Sequence, residues 1–323
     1  MKILVTGTNG FIGSKLCHVL EENGFSIVAA VRGYIDTEAD CATHTVSAGD
    51  IGPSTDWSLA LNEIDVVIHL AARVHVMKES SKDPLAEYRR VNVEGTRHLS
   101  LMAARSGVKR FVYVSTVKVN GENTVEKSFS ESDIPSPQNA YAISKWEAEE
   151  ALRDIASQTG LEIVIIRPPL VYGPGAKGNM LSLMRYIDRG YPLPFGGIHN
   201  KRSFISLDNL ADVLLTSTTN VNCAGQTFLV SDGDDLSTSE LIKRIAAAMN
   251  RKSHLINIPE KLFSVIGTMM PPLRPILGRL TGSLVIDSTR FRSVAGWHPP
   301  QTVNAGIKDM VSEYLRHKAL NAG

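Results

Sequence analysis

The 323-residue chain has no surplus of either charge: 34 Lys and Arg stand against 33 Asp and Glu, for a formal net charge of +1. So even a balance excludes bulk electrostatic attraction to nucleic acid or acidic lipid as the basis of function. Cysteine is scarce, and Cys17, Cys41 and Cys223 are odd in number and far apart. That excludes a disulfide framework and fits a reducing cytoplasm, the expected location. "CATH" at residues 41–44 offers two metal donors with no second pair, so no metal is expected. Long hydrophobic runs are missing too. The most apolar stretch, 262–278, is interrupted by Pro271, Pro272 and Pro275. It falls short of the roughly 20 apolar residues of a spanning helix, and reads as a packed helix in preference to an interfacial lid. The opening "MKILVTGTNGFIG" has one Lys and a short apolar run before a glycine loop, and reads as a first strand, not as an export signal. No internal repeat or low-complexity tract is present.

What is there is 43% hydrophobic, enough for one large core and a smaller second one. Short β-branched runs alternate with longer amphipathic segments, the pattern of a parallel sheet covered by helices on both faces. Strands are expected at 2–6, 26–31, 65–70, 110–115 and 162–167, and helices at 11–23, 84–105 and 140–158. The apolar runs do not alternate with polar residues, as strands buried on both faces require. After Arg167 the rhythm breaks into Pro- and Gly-rich sequence, so a smaller lobe is expected over 169–323, following a cofactor domain over 1–168. Within that lobe, 202–232 reads as strand, helix and strand returning to the main sheet.

Between the first strand and the first helix stands "VTGTNGFIG", with Gly7, Gly10 and Gly13 where a phosphate-binding turn leaves out side chains. There the backbone must turn tightly, approach a pyrophosphate and let helix pack on strand, and the first helical amides then face the phosphate. A dinucleotide fold built for NAD usually places an acid at the tip of the second strand, roughly 20 residues on, for the ribose 2′-OH. Here the tip is Val31, followed by Arg32. A guanidinium can grip a 2′-phosphate through two charge-assisted hydrogen bonds, so NADP(H) is preferred over NAD; the alternative is a solvated Arg at a loop start. Further on, "YAISK" sets Tyr141 and Lys145 four residues apart on one helix face. A neighbouring cation favours the phenolate, so Lys145 is expected to draw Tyr141 down from its ordinary pKa near 10 and make it a usable acid and base.

The G-x-x-G-x-x-G spacing resembles that of the extended short-chain dehydrogenase/reductase family, and motifs stay in register to beyond residue 210. The resemblance implies a Rossmann doubly wound parallel sheet with a smaller, mixed C-terminal lobe for a nucleotide sugar. It adds Asn9, Phe11 and Ile12 to the cofactor loop. It sets Asp50, in "GDI" with Ile51, against the adenine amino group, and Leu70, Ala71 and Ala72 of "HLAA" along the adenosine. Asn92 of "VNVEGT" would brace the active site. Against the family's S-S-x-x-V-Y-G, Ser115 is the first hydroxyl and Thr116 the second; Thr116 is the catalytic choice, with Ser115 in reserve and counted among the cofactor residues. Asn120 replaces the family's Tyr, which implies a more polar wall beside the sugar. Val117 and Lys118 stand where related 4,6-dehydratases carry an Asp-Glu pair, so water elimination has no evident acid or base.

By the same resemblance Pro169 would lie near the nicotinamide. Lys118, Asn179, Arg202 and Arg279 would meet the substrate, Asn179 and the two arginines on its diphosphate; Ser203 replaces the usual Asp. The implied activity is NADPH-dependent reduction at C4 of a UDP-linked 4-keto-6-deoxy hexose or N-acetylhexosamine, as in bacterial polysaccharide pathways. The alternative is an NAD-dependent UDP-hexose 4-epimerase, and a second is a dinucleotide-sensing module without turnover. The carrier is left open among UDP, dTDP and a lipid diphosphate. The resemblance also admits a homodimer, which no stripe of residues here marks.

Overall fold

The structure, a computed structural model, describes residues 1–33, 43–74, 83–259, 262–263, 268–270 and 274–320. Seven strands form one parallel sheet in the order β3-β2-β1-β4-β5-β6-β9. They are β1 (Lys2–Thr6), β2 (Ser26–Val31), β3 (His44–Ser47), β4 (Val66–His69), β5 (Arg110–Val114), β6 (Glu162–Arg167) and β9 (Thr227–Leu229). The order reverses at β1, whose Thr6 is in register with Ala30 of β2 on one side and His69 of β4 on the other. A crevice at the carboxyl ends of such a pair is where this architecture binds ligands.

The sheet is buried on both faces, as the unbroken apolar runs require. Ile3 and Val5 of β1 pack with Leu16 and Leu20 of α1 (Phe11–Glu22) and with Leu210 and Leu214 of α6 (Leu207–Thr219). Leu4, between them, points the other way, into a cluster with Leu99 of α3 (Thr96–Arg105) and Leu152 of α4 (Ala140–Thr159). A separate cluster beyond β6 joins Met180, Met184, Phe195, Leu241, Ile245, Val303 and Ile307.

Three expectations change. β3 is a strand the sequence hides: three of its four residues are exposed, so this short edge strand has no apolar signal. Residues 84–105 are not one α-helix but a short α-helix (Pro84–Tyr88), a π-helical stretch (Arg89–Gly95) and α3. Segment 202–232 divides. Its second strand, β9, joins the sheet beside β6, whereas β8 (Phe204–Ser206) pairs with β7 (Leu170–Tyr172) in a two-stranded sheet apart. Cys41 lies outside the described residues, as does much of 262–278; the last part of that run forms the helix Arg274–Thr281, with Pro275 as its second residue, a first-turn position where proline is tolerated. Among the described residues no helix is long and apolar enough to cross a membrane.

Candidate active site

The glycine loop closes over the end of β1 so tightly that side chains are excluded. Gly7 has φ +77°, and a Cβ there would lie 2.9 Å from the Ala71 nitrogen. A Cβ on Gly13 would meet the Gly7 carbonyl oxygen at 2.1 Å, while the Gly10 amide donates to that same oxygen at 3.0 Å. Gly10 caps α1 without a side-chain bond, and no acid stands in the first turn. The positive end of the helix is thus left for an anion, and the cradle fits a dinucleotide pyrophosphate. Asn9 is exposed beside it. Phe11 packs onto the second-lobe cluster and Ile12 onto the sheet core.

Behind the loop runs a strut that sequence reasoning missed. Thr6 Oγ1 lies 2.7 Å from His69 Nδ1, and His69 Nε2 lies 3.0 Å from Thr96 Oγ1. Burial first, and the nearby Lys145 second, bring the His69 pKa down to about 3, so the ring is a neutral brace. Thr6 Oγ1 also accepts from the Ala71 amide at 3.2 Å, fixing the Leu70–Ala71–Ala72 strand end. Asn92, in the π-helical stretch, accepts from the Arg73 amide at 2.7 Å and donates to the Arg73 carbonyl and to Ser144 Oγ. Asn92 therefore ties that strand end to α4. A Cβ on Gly95 would stand 2.6 Å from Ile51 Cγ2, so this glycine admits Ile51.

Arg32 and Asp50, assigned to opposite ends of the adenosine, are bonded to each other: Arg32 Nε lies 3.0 Å from Asp50 Oδ1, with the side chains 86% and 76% exposed. The guanidinium already has a carboxylate partner.

Asn139 caps α4 by accepting from the Ala142 amide at 2.9 Å, which places Tyr141 in the first turn and Lys145 one turn on. The expected lowering of the Tyr141 pKa by Lys145 is not what the geometry gives. Burial, with Tyr88 adding to it, pushes the phenol up to about 12. The Lys145 ammonium sits 4.0 Å from the centroid of the Tyr113 ring. Burial brings it down to about 7, against the opposing charge of Glu149. Desolvation outweighs the ion–phenol attraction for both groups.

The two hydroxyls at the end of β5 have different fates. Ser115 donates to Glu149 Oε1 at 2.6 Å and is used internally. Thr116 caps the short turn Val117–Val119, its Oγ1 accepting from the Lys118 amide at 3.3 Å, and among the described residues its proton goes to no protein acceptor. Beneath them lies a second feature the sequence reading missed. Glu149, fully buried, takes Arg167 through Nε at 2.9 Å and Nη2 at 2.5 Å. Arg167 Nη1 in turn reaches Asn120 Oδ1 at 3.0 Å, and Asn120 Nδ2 donates to the Ser130 carbonyl. The amide of Asn120, expected to make the sugar wall polar, is turned inward because Arg167 needs an acceptor there. The spacing of Glu149 four residues after Lys145 was the available signal.

On the substrate side, Lys118 Nζ lies 3.3 Å from Glu122 Oε2. Arg202 donates to the Gly282 carbonyl at 2.8 Å; burial and the like charge of Arg279 lower its pKa while Glu122 holds it up. Arg202 and Arg279 thus share one neighbourhood. Ser203 donates to Asp235 at 2.5 Å, so a carboxylate from elsewhere meets the position where the family carries its own. Pro169 is buried next to Pro168, whose carbonyl accepts from the Val117 amide at 3.0 Å. Asn179 is exposed in the first turn of the helix Gly178–Asp188, with no side-chain hydrogen bond among the described residues.

Residues 3–230 match the NAD dependent epimerase/dehydratase family. The chain is 41% identical over 317 residues to a UDP-glucose 4-epimerase of Vibrio cholerae, covering 97% of this chain and 95% of that one. It is 26% identical to a GDP-6-deoxy-D-mannose reductase of Pseudomonas aeruginosa over 97% of both chains. A solved structure of MoeE5 with UDP-glucuronic acid and NAD superposes with a TM-score of 0.78 at 25% identity, covering 98% of this chain and all of the other.

Proposed function

The chain belongs to the NAD dependent epimerase/dehydratase family, and from that premise we propose that it is an NAD-dependent 4-epimerase of UDP-linked hexoses. The observation that carries the choice is the 41% identity, over 97% of this chain, to a UDP-glucose 4-epimerase. The Arg32–Asp50 pair is in keeping with it: the Asp50 carboxylate can accept from ribose hydroxyls and would repel a 2′-phosphate, which disfavours NADP(H) and with it a reductase that consumes NADPH. The sensing module has the least support, since Tyr141 and Lys145 are both in place on α4.

When bound, the dinucleotide supplies a hydride acceptor and donor at the sugar carbon. The chain's own groups do the rest. Gly7, Gly10 and Gly13 with the first turn of α1 would hold the pyrophosphate, and Asp50, Ile51, Leu70, Ala71 and Ala72 would line the adenosine. Tyr141 would take the proton from the C4 hydroxyl and return it after the sugar has turned. Its pKa of about 12 favours the return, and a protonated Lys145 favours the removal. Thr116 would hold the same oxygen through its uncommitted hydroxyl. Arg202, Arg279 and Asn179 would hold the diphosphate end and Lys118 would stand on the sugar side, beside Thr116, leaving the ring to present either face.

The test is direct. Purified protein should interconvert UDP-glucose and UDP-galactose with no added cofactor and release NAD on denaturation. Copurifying NADP(H), with stoichiometric NADPH consumption on adding a 4-keto sugar nucleotide, would establish the reductase instead. Tyr141→Phe should lower turnover by about a hundredfold or more while nucleotide content is retained.

A further inference from the structure

Glu122 has no part in the chemistry above, yet it lies in the middle of it. Its carboxylate meets Lys118 Nζ at 3.3 Å, and Lys118 belongs to the turn capped by Thr116. It accepts from Asn139 Nδ2 at 2.5 Å, and Asn139 caps the helix whose second residue is Tyr141. Arg202 feels its charge as well. Glu122 thus contacts the chain neighbours of the two groups that would address the sugar's C4 oxygen and lies near one that would address its diphosphate. A hexose held between those groups would lie within reach of it. The side chain is 23% exposed, so it is reachable.

The chemistry of that position is selective. Oε1 already accepts from Asn139 and lies 3.4 Å from Lys118, while among the described residues Oε2 has Lys118 alone and keeps lone pairs for a further donor. A neutral sugar can donate a hydroxyl there. A sugar carboxylate cannot donate, and the Lys118 charge that could attract it is already opposed by Glu122. We propose that Glu122 is a specificity-determining residue that restricts the site to neutral hexoses and turns away hexuronates. The proposal rests on the nucleotide-sugar reading of the site.

The test reads binding, so that it does not depend on turnover. NAD-loaded wild-type protein, Glu122→Gln and Glu122→Ser would be titrated calorimetrically with UDP-glucose and UDP-glucuronate, with melting curves to verify folding. Wild-type protein should prefer UDP-glucose by about tenfold or more, the scale of one hydrogen bond to a charged acceptor. Either folded variant should narrow that ratio by about tenfold or more, chiefly by gaining UDP-glucuronate. A ratio unmoved in both variants, or a wild-type protein that binds the two ligands equally, overturns the proposal. If the ratio shifts but no epimerisation is seen, the catalytic reading fails and the specificity role stands. Epimerisation with an unmoved ratio is the reverse outcome. Failure of wild-type protein to bind either ligand overturns both.

Discussion

Arg32 follows the end of β2 and Arg167 ends β6, both on the carboxyl edge of the same sheet, and both pair with a carboxylate. Arg32 is 86% exposed and meets Asp50 through one nitrogen. Arg167 is 2% exposed and grips a fully buried Glu149 through two. An exposed pair gains little over hydration and is easily exchanged for another partner. A buried pair is expensive to assemble and very expensive to break, because removing one partner strands the other's charge. The first is suited to meeting a ligand. The second fixes distances: through Ser115, Glu149, Arg167 and Asn120 it locks the end of β5, which carries Thr116, to the helix that carries Tyr141 and Lys145.

The sharpest way to break this contrast is Glu149→Leu, which leaves the buried Arg167 with Asn120 for a hydrogen-bond partner, whereas Glu149 without Arg167 would keep Arg153 at 3.0 Å. It should destabilise the protein by about 3–5 kcal/mol in urea unfolding, whereas Glu149→Leu combined with Arg167→Met should recover most of the loss. A double variant as unstable as the single one would mean that packing and not charge holds the site. Next in size, Gly13→Ala sets a Cβ against loop backbone and should cost about 1–3 kcal/mol. It should also lower NAD retention by about tenfold or more, read from nucleotide released per chain.

A third prediction concerns the other buried charge. Lys145 has its folded pKa lowered to about 7 from 10.5, so between those values the unfolded chain binds the extra proton and stability rises with pH. Wild-type protein should therefore gain a few degrees of Tm relative to Lys145→Met between pH 7 and pH 10, and no difference should develop below pH 7. A gap that does not change with pH would place the charge outside the core. Smallest of all, Arg32→Ala should leave the melting curve unmoved and alter NAD and NADP affinities equally and by less than about threefold. A tenfold loss confined to NADP would return the phosphate-gripping role to Arg32.

Legibility in the sequence followed burial. β1, β2 and β6 begin and end where their apolar runs do, because a strand covered on both faces admits little else. β3, exposed at the sheet edge, wrote no such pattern into "HTVS". The glycines of the loop were readable because each is forced by backbone approaching backbone. The tyrosine and lysine of α4 were readable as a helical pair, but the balance of desolvation and attraction that sets their protonation was not. Asn120 and Arg32 were read from their chemistry alone, and both are redirected by partners distant in sequence, Arg167 and Asp50.

The sequence by itself determined the parallel sheet, the tight glycine turn after β1 and the placing of Tyr141 and Lys145 one turn apart on one helix. Each follows from local periodicity, from glycine at obligatory positions or from a four-residue spacing. Only the tertiary structure decided which charge meets which: Asp50 beside Arg32, Arg167 on Glu149, Lys118 on Glu122. Electrostatic partners are chosen by distance and burial in three dimensions, and a chain written in one dimension carries neither.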